Sequence, residues 1–75
     1  MNECVVLPGE IIFREGEPGG EAYVIQSGRV EIFKDSANGP IVLANLEESE
    51  MFGEMSLIDE QPRSATARAI GEVEL

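Results

Sequence analysis

Two short segments of the sequence hold residue types that could bind a charged ligand. Gly53 precedes Glu54–Ile58, the only stretch with local helical character, which is about one turn long. The first backbone N–H groups of a helix lack partners within it, so they favour an anion. Arg63 follows Pro62, and a guanidinium can bind two oxygens of a phosphate at once. The two segments together indicate a phosphate site.

The neighbouring residues extend this interpretation from a phosphate to a nucleotide. Ser56, Ser64 and Ala65 are small, so they would let a ligand approach the backbone closely. Glu54 would repel a phosphate, and a carboxylate there needs a hydrogen-bond donor such as a ribose hydroxyl. A phosphate, a ribose and backbone donors within such short segments describe a small nucleotide.

Composition excludes several other classes of function. The 75 residues carry a net charge of −10, which argues against direct binding to nucleic acid or to an anionic membrane. The sequence has no histidine, which removes imidazole metal ligands and histidine-activated nucleophiles. We therefore expect neither a metal, nor another cofactor, nor an enzyme. The single cysteine, Cys4, fits a reducing compartment, and we expect a cytoplasmic protein.

The elements that would position these residues are short β-strands. Ile and Val outnumber Leu, and Gly and Pro recur at short intervals, which is typical of an antiparallel sandwich or barrel. Asp35–Pro40, with Asn38-Gly39, predicts a hairpin loop, while Ser27-Gly28 and Gly71 predict turns. The predicted strands span residues 4–7, 10–14, 22–26, 29–34, 41–46 and 64–70, and another begins at Val73 without being completed.

These motifs resemble the cyclic nucleotide-binding domain shared by the catabolite activator protein, protein kinase A regulatory subunits and cyclic nucleotide-gated channels. The resemblance covers nearly the whole chain, and its most specific part is the phosphate-binding cassette, 52–57 with 62–66. Its other marks are Pro8-Gly9-Glu10-Ile11-Ile12-Phe13, Glu15-Gly16-Glu17, Tyr23-Val24-Ile25 and Ser27-Gly28. The resemblance implies a mainly β fold, an antiparallel β-roll with one short helix in the cassette.

The resemblance also implies roles for individual residues. Glu54 would accept the ribose 2′-hydroxyl, aided by the Gly53 backbone, and Arg63 would pair with the exocyclic phosphate oxygens. Backbone N–H groups of Ser56 and Ser64 would face the phosphate. The remaining candidate ligand-binding residues are Met55, Ala65 and Leu46, which would touch the purine together with Ala44.

The implied function is a sensor of cyclic AMP, or of cyclic GMP, that regulates an effector in a larger protein. Ser64 follows the arginine at the position that influences base choice in the family, and we favour cyclic AMP. The alternative is a degenerate β-roll that serves as a structural or oligomerisation module. We expect residues 1–75 to form a single, truncated domain without the family's flanking and lid helices, which would favour self-association.

Overall fold

Seven antiparallel β-strands build the part of the chain that the structure describes. A computed structural model describes residues 4–19, 21–53 and 62–75. The strands are β1 (Val5–Val6), β2 (Ile11–Phe13), β3 (Tyr23–Val24), β4 (Ser27–Lys34), β5 (Ile41–Leu46), β6 (Met51–Phe52) and β7 (Thr66–Glu74). The mainly β, antiparallel prediction is confirmed. The predicted helix from Glu54 lies outside the described residues.

The sheet that supports the site is organised around β7. Five strands form one sheet in the order β1-β7-β4-β5, and β2 also pairs with β7. The other two strands, β3 and β6, form a separate ladder in which Tyr23 lies opposite Phe52. Because β2 pairs with β7 through Phe13 and Ala67, the residues just before β7 are close to the loop that follows β2.

The core lies on one face of this sheet. Val30 of β4 and Ala67 and Val73 of β7 are fully buried, and Ala69 is nearly so. Side chains alternate between the faces of a strand, so the small alanines of β7 leave room on the core face for larger neighbours. Ile25, Phe52, Val6 and Leu75 complete the buried cluster, and Ile12, Phe13, Tyr23, Ile32 and Leu46 pack against it.

The predicted turn at Gly71 is wrong, because β7 continues through Gly71 to Glu74. The ladder between β4 and β7 shifts register between Ser27 and Arg29, which is the mark of a β-bulge. The predicted turn at Ser27-Gly28 is wrong as well, since both residues begin β4. Gly28 has a φ of 93°, and an added Cβ would lie 2.5 Å from the Glu72 carbonyl oxygen.

The prediction of an unfinished last strand is also corrected. Val73 pairs with Val6 of β1, and Glu74 pairs with Val5 on one side and Ser27 on the other. The end of β7 is therefore held between two neighbours and does not offer an unpaired edge for strand exchange. The predicted hairpin loop between β4 and β5 is confirmed, since the backbones of Ser36 and Gly39 exchange hydrogen bonds of 3.1 and 3.0 Å.

Candidate functional site

Arg63 is buried immediately before β7, with 7% of its surface exposed. Its Nη1 donates a hydrogen bond of 3.0 Å to the Gly53 carbonyl, and its Nη2 donates one of 2.9 Å to the Glu21 carbonyl. Two bonds from the two ends of a planar group fix its orientation. A guanidinium has five N–H groups, so both bonds are compatible with an additional anionic acceptor.

The backbone of Arg63 is held by the loop that follows β2. Its N–H donates to the Glu17 carbonyl and its own carbonyl accepts from the Gly16 N–H, each at 2.8 Å. That loop is closed by the Glu17 carboxylate, which accepts from the Arg14 N–H at 2.6 Å. One further bond, 3.0 Å from the Glu15 N–H to Thr66 Oγ1, ties the loop to the start of β7. The position of Arg63 is therefore set by its main chain as well as by its side chain.

The Arg63 guanidinium lies over one ring of a cluster of three aromatic residues. The Cζ atom of Arg63 lies over the Phe13 ring, 4.1 Å from its centroid. Phe52 is 5.9 Å from Phe13 and 5.3 Å from Tyr23, measured between ring centroids. Phe52 directly precedes Gly53, whose carbonyl accepts a hydrogen bond from Arg63.

Gly53 approaches Arg63 so closely that only glycine fits. Its φ is 83°, a left-handed conformation that is unfavourable for other residues. A Cβ atom at this position would lie 2.7 Å from Nη1 of Arg63 and 3.1 Å from the Glu21 carbonyl oxygen. The sequence prediction grouped Gly53 with Arg63, and the structure brings the two into contact.

The other predicted site residues fall into three groups. Ser64 is exposed and Ala65 is buried, directly after Arg63. Leu46 ends β5 opposite Val30 and packs against the core, while Ala44 is half-buried in the same strand. The third group, Glu54, Met55 and Ser56, lies outside the described residues.

Sequence reasoning missed the groups that hold Arg63 in place. The sequence does not identify the carbonyls of Glu21 and Glu17 as acceptors, because every residue type carries the same main-chain carbonyl. Phe13 lies in the strand predicted for residues 10–14 and is half-buried, and nothing in the sequence pairs it with Arg63.

One of these aromatic residues, Tyr23, has a shifted pKa. Burial raises the pKa of Tyr23 above its usual value of 10.0, the Glu21 carboxylate raises it further, and the positive charge of Arg63 opposes the rise. The Tyr23 hydroxyl donates a long hydrogen bond of 3.5 Å to that carboxylate. The phenol therefore stays neutral at physiological pH.

The described ranges show neither a metal-binding cluster nor a membrane-spanning helix. No group of three or more acidic or cysteine side chains there is arranged to hold a metal ion. Over those same residues, no helix has the length and apolar character needed to span a membrane.

Comparison with known proteins gives a match along nearly the whole sequence. The family model for the cyclic nucleotide-binding domain matches residues 3–75. The chain is 37% identical over 67 residues to the cAMP-dependent protein kinase regulatory subunit of Emericella nidulans, covering 89% of this chain and 16% of that protein. It is 42% identical over 66 residues to the CRP-like cAMP-activated global transcriptional regulator of Mycobacterium tuberculosis, covering 87% and 30%. The chain thus spans less than a third of the length of either relative.

Solved structures agree with the sequence matches. The cAMP-bound form of the EAL enzyme Bd1971 superposes with a TM-score of 0.93 at 44% identity, over 97% of this chain and 20% of that one. The cGMP-bound form of the same enzyme gives the same four values.

Proposed function

The chain belongs to the cyclic nucleotide-binding domain family, and on that premise we propose that it binds cyclic AMP at Arg63. Cyclic GMP is the second candidate ligand. Binding would occur where the residues after β6 meet the residues before β7. The chain would act as a sensor, without catalysis of its own, for an effector elsewhere in a larger protein.

The observation that supports this proposal most strongly is the environment of Arg63. Burying a cation is unfavourable unless charge or hydrogen bonds compensate it. Here the guanidinium is fixed by two carbonyls and a ring in a chain whose net charge is −10. Such a held cation suits a ligand that carries a single negative charge on a phosphate, because charge-assisted hydrogen bonds are short and strong.

The remaining roles are proposed by family analogy. Glu54 would accept the ribose 2′-hydroxyl with help from Gly53, while backbone N–H groups of Ser56 and Ser64 would face the phosphate. Met55 and Ala65 would line the pocket. Leu46 would touch the purine from the end of β5, where its half-buried side chain lies beside the core.

The direct test is a titration of the chain with cyclic AMP, cyclic GMP and 5′-AMP, followed by amide chemical shifts. We expect cyclic AMP to shift the amides of residues 53–57 and 63–65 before others, and 5′-AMP to act more weakly. The absence of any shift in both segments at millimolar cyclic AMP and cyclic GMP would exclude the proposal. A stronger response to cyclic GMP would reverse the preference that we infer from Ser64.

One observation favours a second candidate function, a structural module without ligand. The Arg63 side chain links Gly53 and Glu21, and its backbone links Gly16 and Glu17, so the arginine would stabilise the fold even without a nucleotide. The presence of Arg63 therefore does not by itself require a ligand. The two functions separate on Glu54→Gln, which should lower affinity for cyclic AMP if ribose is bound and should change nothing in a structural module.

The wider context is proposed from the relatives. Regulatory subunits and transcriptional regulators are named among them, and we propose that this chain likewise passes ligand occupancy to a separate effector. Self-association and a cytoplasmic location stay predictions from the sequence. The exposed thiol of Cys4 would remain reduced in that compartment.

A further inference from the structure

Phe13 lies outside the phosphate-binding cassette, yet its ring is the surface on which the Arg63 guanidinium rests. The distance from Cζ to the ring centroid is 4.1 Å, well inside the range of about 6 Å over which an aromatic face attracts a cation. We propose that Phe13 is a positioning residue, which holds the guanidinium in the orientation that receives the ligand's phosphate. This inference rests on the proposed function.

The ring can act as a platform because it is itself fixed. Phe13 pairs through its backbone with Ala67 of β7. Its side chain packs beside two other rings, with centroid distances of 6.3 Å to Tyr23 and 5.9 Å to Phe52, and those two rings are 5.3 Å from each other. A ring held by strand pairing and by two aromatic neighbours keeps its place whether or not a ligand is bound.

The contact matters because an arginine side chain is long and flexible. The Phe13 ring supports the face of the guanidinium, and the Gly53 and Glu21 carbonyls hold its two ends. The side chain is therefore ordered before the ligand arrives, so that binding does not have to order it. An aliphatic residue at position 13 would keep apolar contact but would lose the attraction between the ring face and the cation.

The chain provides a matched control for this contact. Arg68 lies over the ring of Phe33, with Cζ 4.9 Å from the ring centroid, and it forms an ion pair with Glu31. This second arginine–phenylalanine pair belongs to β7 and β4 and contains no residue of the proposed site. Loss of either ring removes the same type of contact, but only one of the two contacts involves Arg63.

The experiment measures cyclic AMP affinity by calorimetry for Phe13→Leu, Phe13→Tyr and Phe33→Leu. Phe13→Leu should bind about tenfold more weakly, since the arginine must then be ordered on binding. Phe13→Tyr keeps the ring and should bind like the wild type, as should Phe33→Leu. A Phe13→Leu chain with wild-type affinity would overturn the proposal.

A double-mutant cycle separates positioning from a general loss of structure. If Phe13 acts through the guanidinium, Phe13→Leu should lose much less affinity in an Arg63→Lys background than in the wild type. An equal loss in both backgrounds would contradict the proposal, because it would mean that the ring supports the site independently of Arg63.

Nuclear magnetic resonance tests the platform without any ligand. The chemical shift of the Arg63 Nε–H proton should lie upfield of that of the exposed Arg29, because of the Phe13 ring. In Phe13→Leu this upfield displacement should disappear. If the wild type binds no cyclic nucleotide, the proposed function fails, and this shift still tests the hold on Arg63. If Phe13→Leu does not fold, the wild-type shift decides, and the absence of an upfield displacement would refute the platform.

Discussion

Substitution of Gly53 by alanine should disturb Arg63 directly, because the added methyl group would meet the guanidinium. The new Cβ would lie 2.7 Å from Nη1 and 3.1 Å from the Glu21 carbonyl oxygen. The backbone carbonyl cannot easily move, so the guanidinium must. We expect Arg63 to lose the hydrogen bond to the Gly53 carbonyl, which is 3.0 Å long in the wild type.

The stability lost in Gly53→Ala has two contributions. A non-glycine residue in the left-handed region costs about 1–2 kcal/mol, and a buried polar group that loses its partner costs about 1–3 kcal/mol. A control substitution at Gly9 distinguishes the two contributions. The φ of Gly9, +81°, nearly equals the +83° of Gly53, but an added Cβ at Gly9 meets nothing within 4 Å. Gly9→Ala should therefore carry only the backbone contribution.

Thermal unfolding of the two variants isolates the contact with Arg63. A change of 1 kcal/mol moves the Tm of a domain of this size by about 4–8 °C, so Gly53→Ala should unfold at least ~4 °C below Gly9→Ala. Gly53→Ala should also bind cyclic AMP more weakly than Gly9→Ala does. Equal Tm values for the two variants would refute the reasoning, since they would mean that the methyl group at residue 53 does not displace the guanidinium.

Three other predictions concern charge. Arg63→Ala should weaken cyclic AMP binding about tenfold or more, since a charge-assisted bond contributes ~1.5–3 kcal/mol, and Arg63→Lys should recover only part of the loss in calorimetry. The raised pKa of Tyr23 means that the unfolded chain loses this proton first, so the free energy of unfolding should fall as pH rises above about 10. In urea titrations at pH 9 and pH 11, Tyr23→Phe should reduce that fall. Sedimentation at two salt concentrations should show self-association that increases with salt. The edge strand β5 exposes Ile41, Val42 and Leu43, and salt screens the repulsion between copies that each carry a net charge of −10. A monomer at high salt would contradict this prediction.

The sequence predicted strands best where alternation and turn chemistry agree. Strand β5 has the predicted bounds, Ile41–Leu46, since a loop with Asn38-Gly39 sets its start. The sequence predicts two strands, before and after Gly71, where the structure has the single strand β7. A glycine with positive φ occurs both in turns and in bulges, so its presence does not distinguish them. Only the pairing of β7 with β4 distinguishes the two, and pairing partners are not visible in a single sequence.

Alternation also determines which residue of β6 is buried. Met51 is 54% exposed, whereas its neighbour Phe52 is 4% exposed. Successive side chains of a strand point to opposite faces, so burial of the larger aromatic ring in β6 places Met51 in solvent. Hydrophobic character alone could not decide which of two adjacent apolar residues faces the core.

The candidate site was predictable to the extent that it depends on side-chain type. Gly53 and Arg63 were identified together because a phosphate site needs a close backbone and a planar cation. The carbonyls of Glu21 and Glu17 were not, because a main-chain acceptor has no residue signature and its position depends on the fold. Residue types thus indicate the cation, whereas the main-chain groups that hold it depend on the fold.

The way Arg63 is held also connects ligand binding to the stability of the fold. Its contacts join segments that are distant in sequence, the loop at Gly16–Glu17, the strand entry at Glu21 and the end of β6 at Gly53. A domain of this size has a small margin of stability, and a ligand at 100 times its Kd would add about 2.7 kcal/mol. If cyclic AMP binds at Arg63, the guanidinium that receives the phosphate also joins these segments. Ligand binding would therefore stabilise the contacts between them. Ligand binding should therefore protect the backbone amides of Gly16 and Arg63 from hydrogen exchange, although both are already hydrogen-bonded without it.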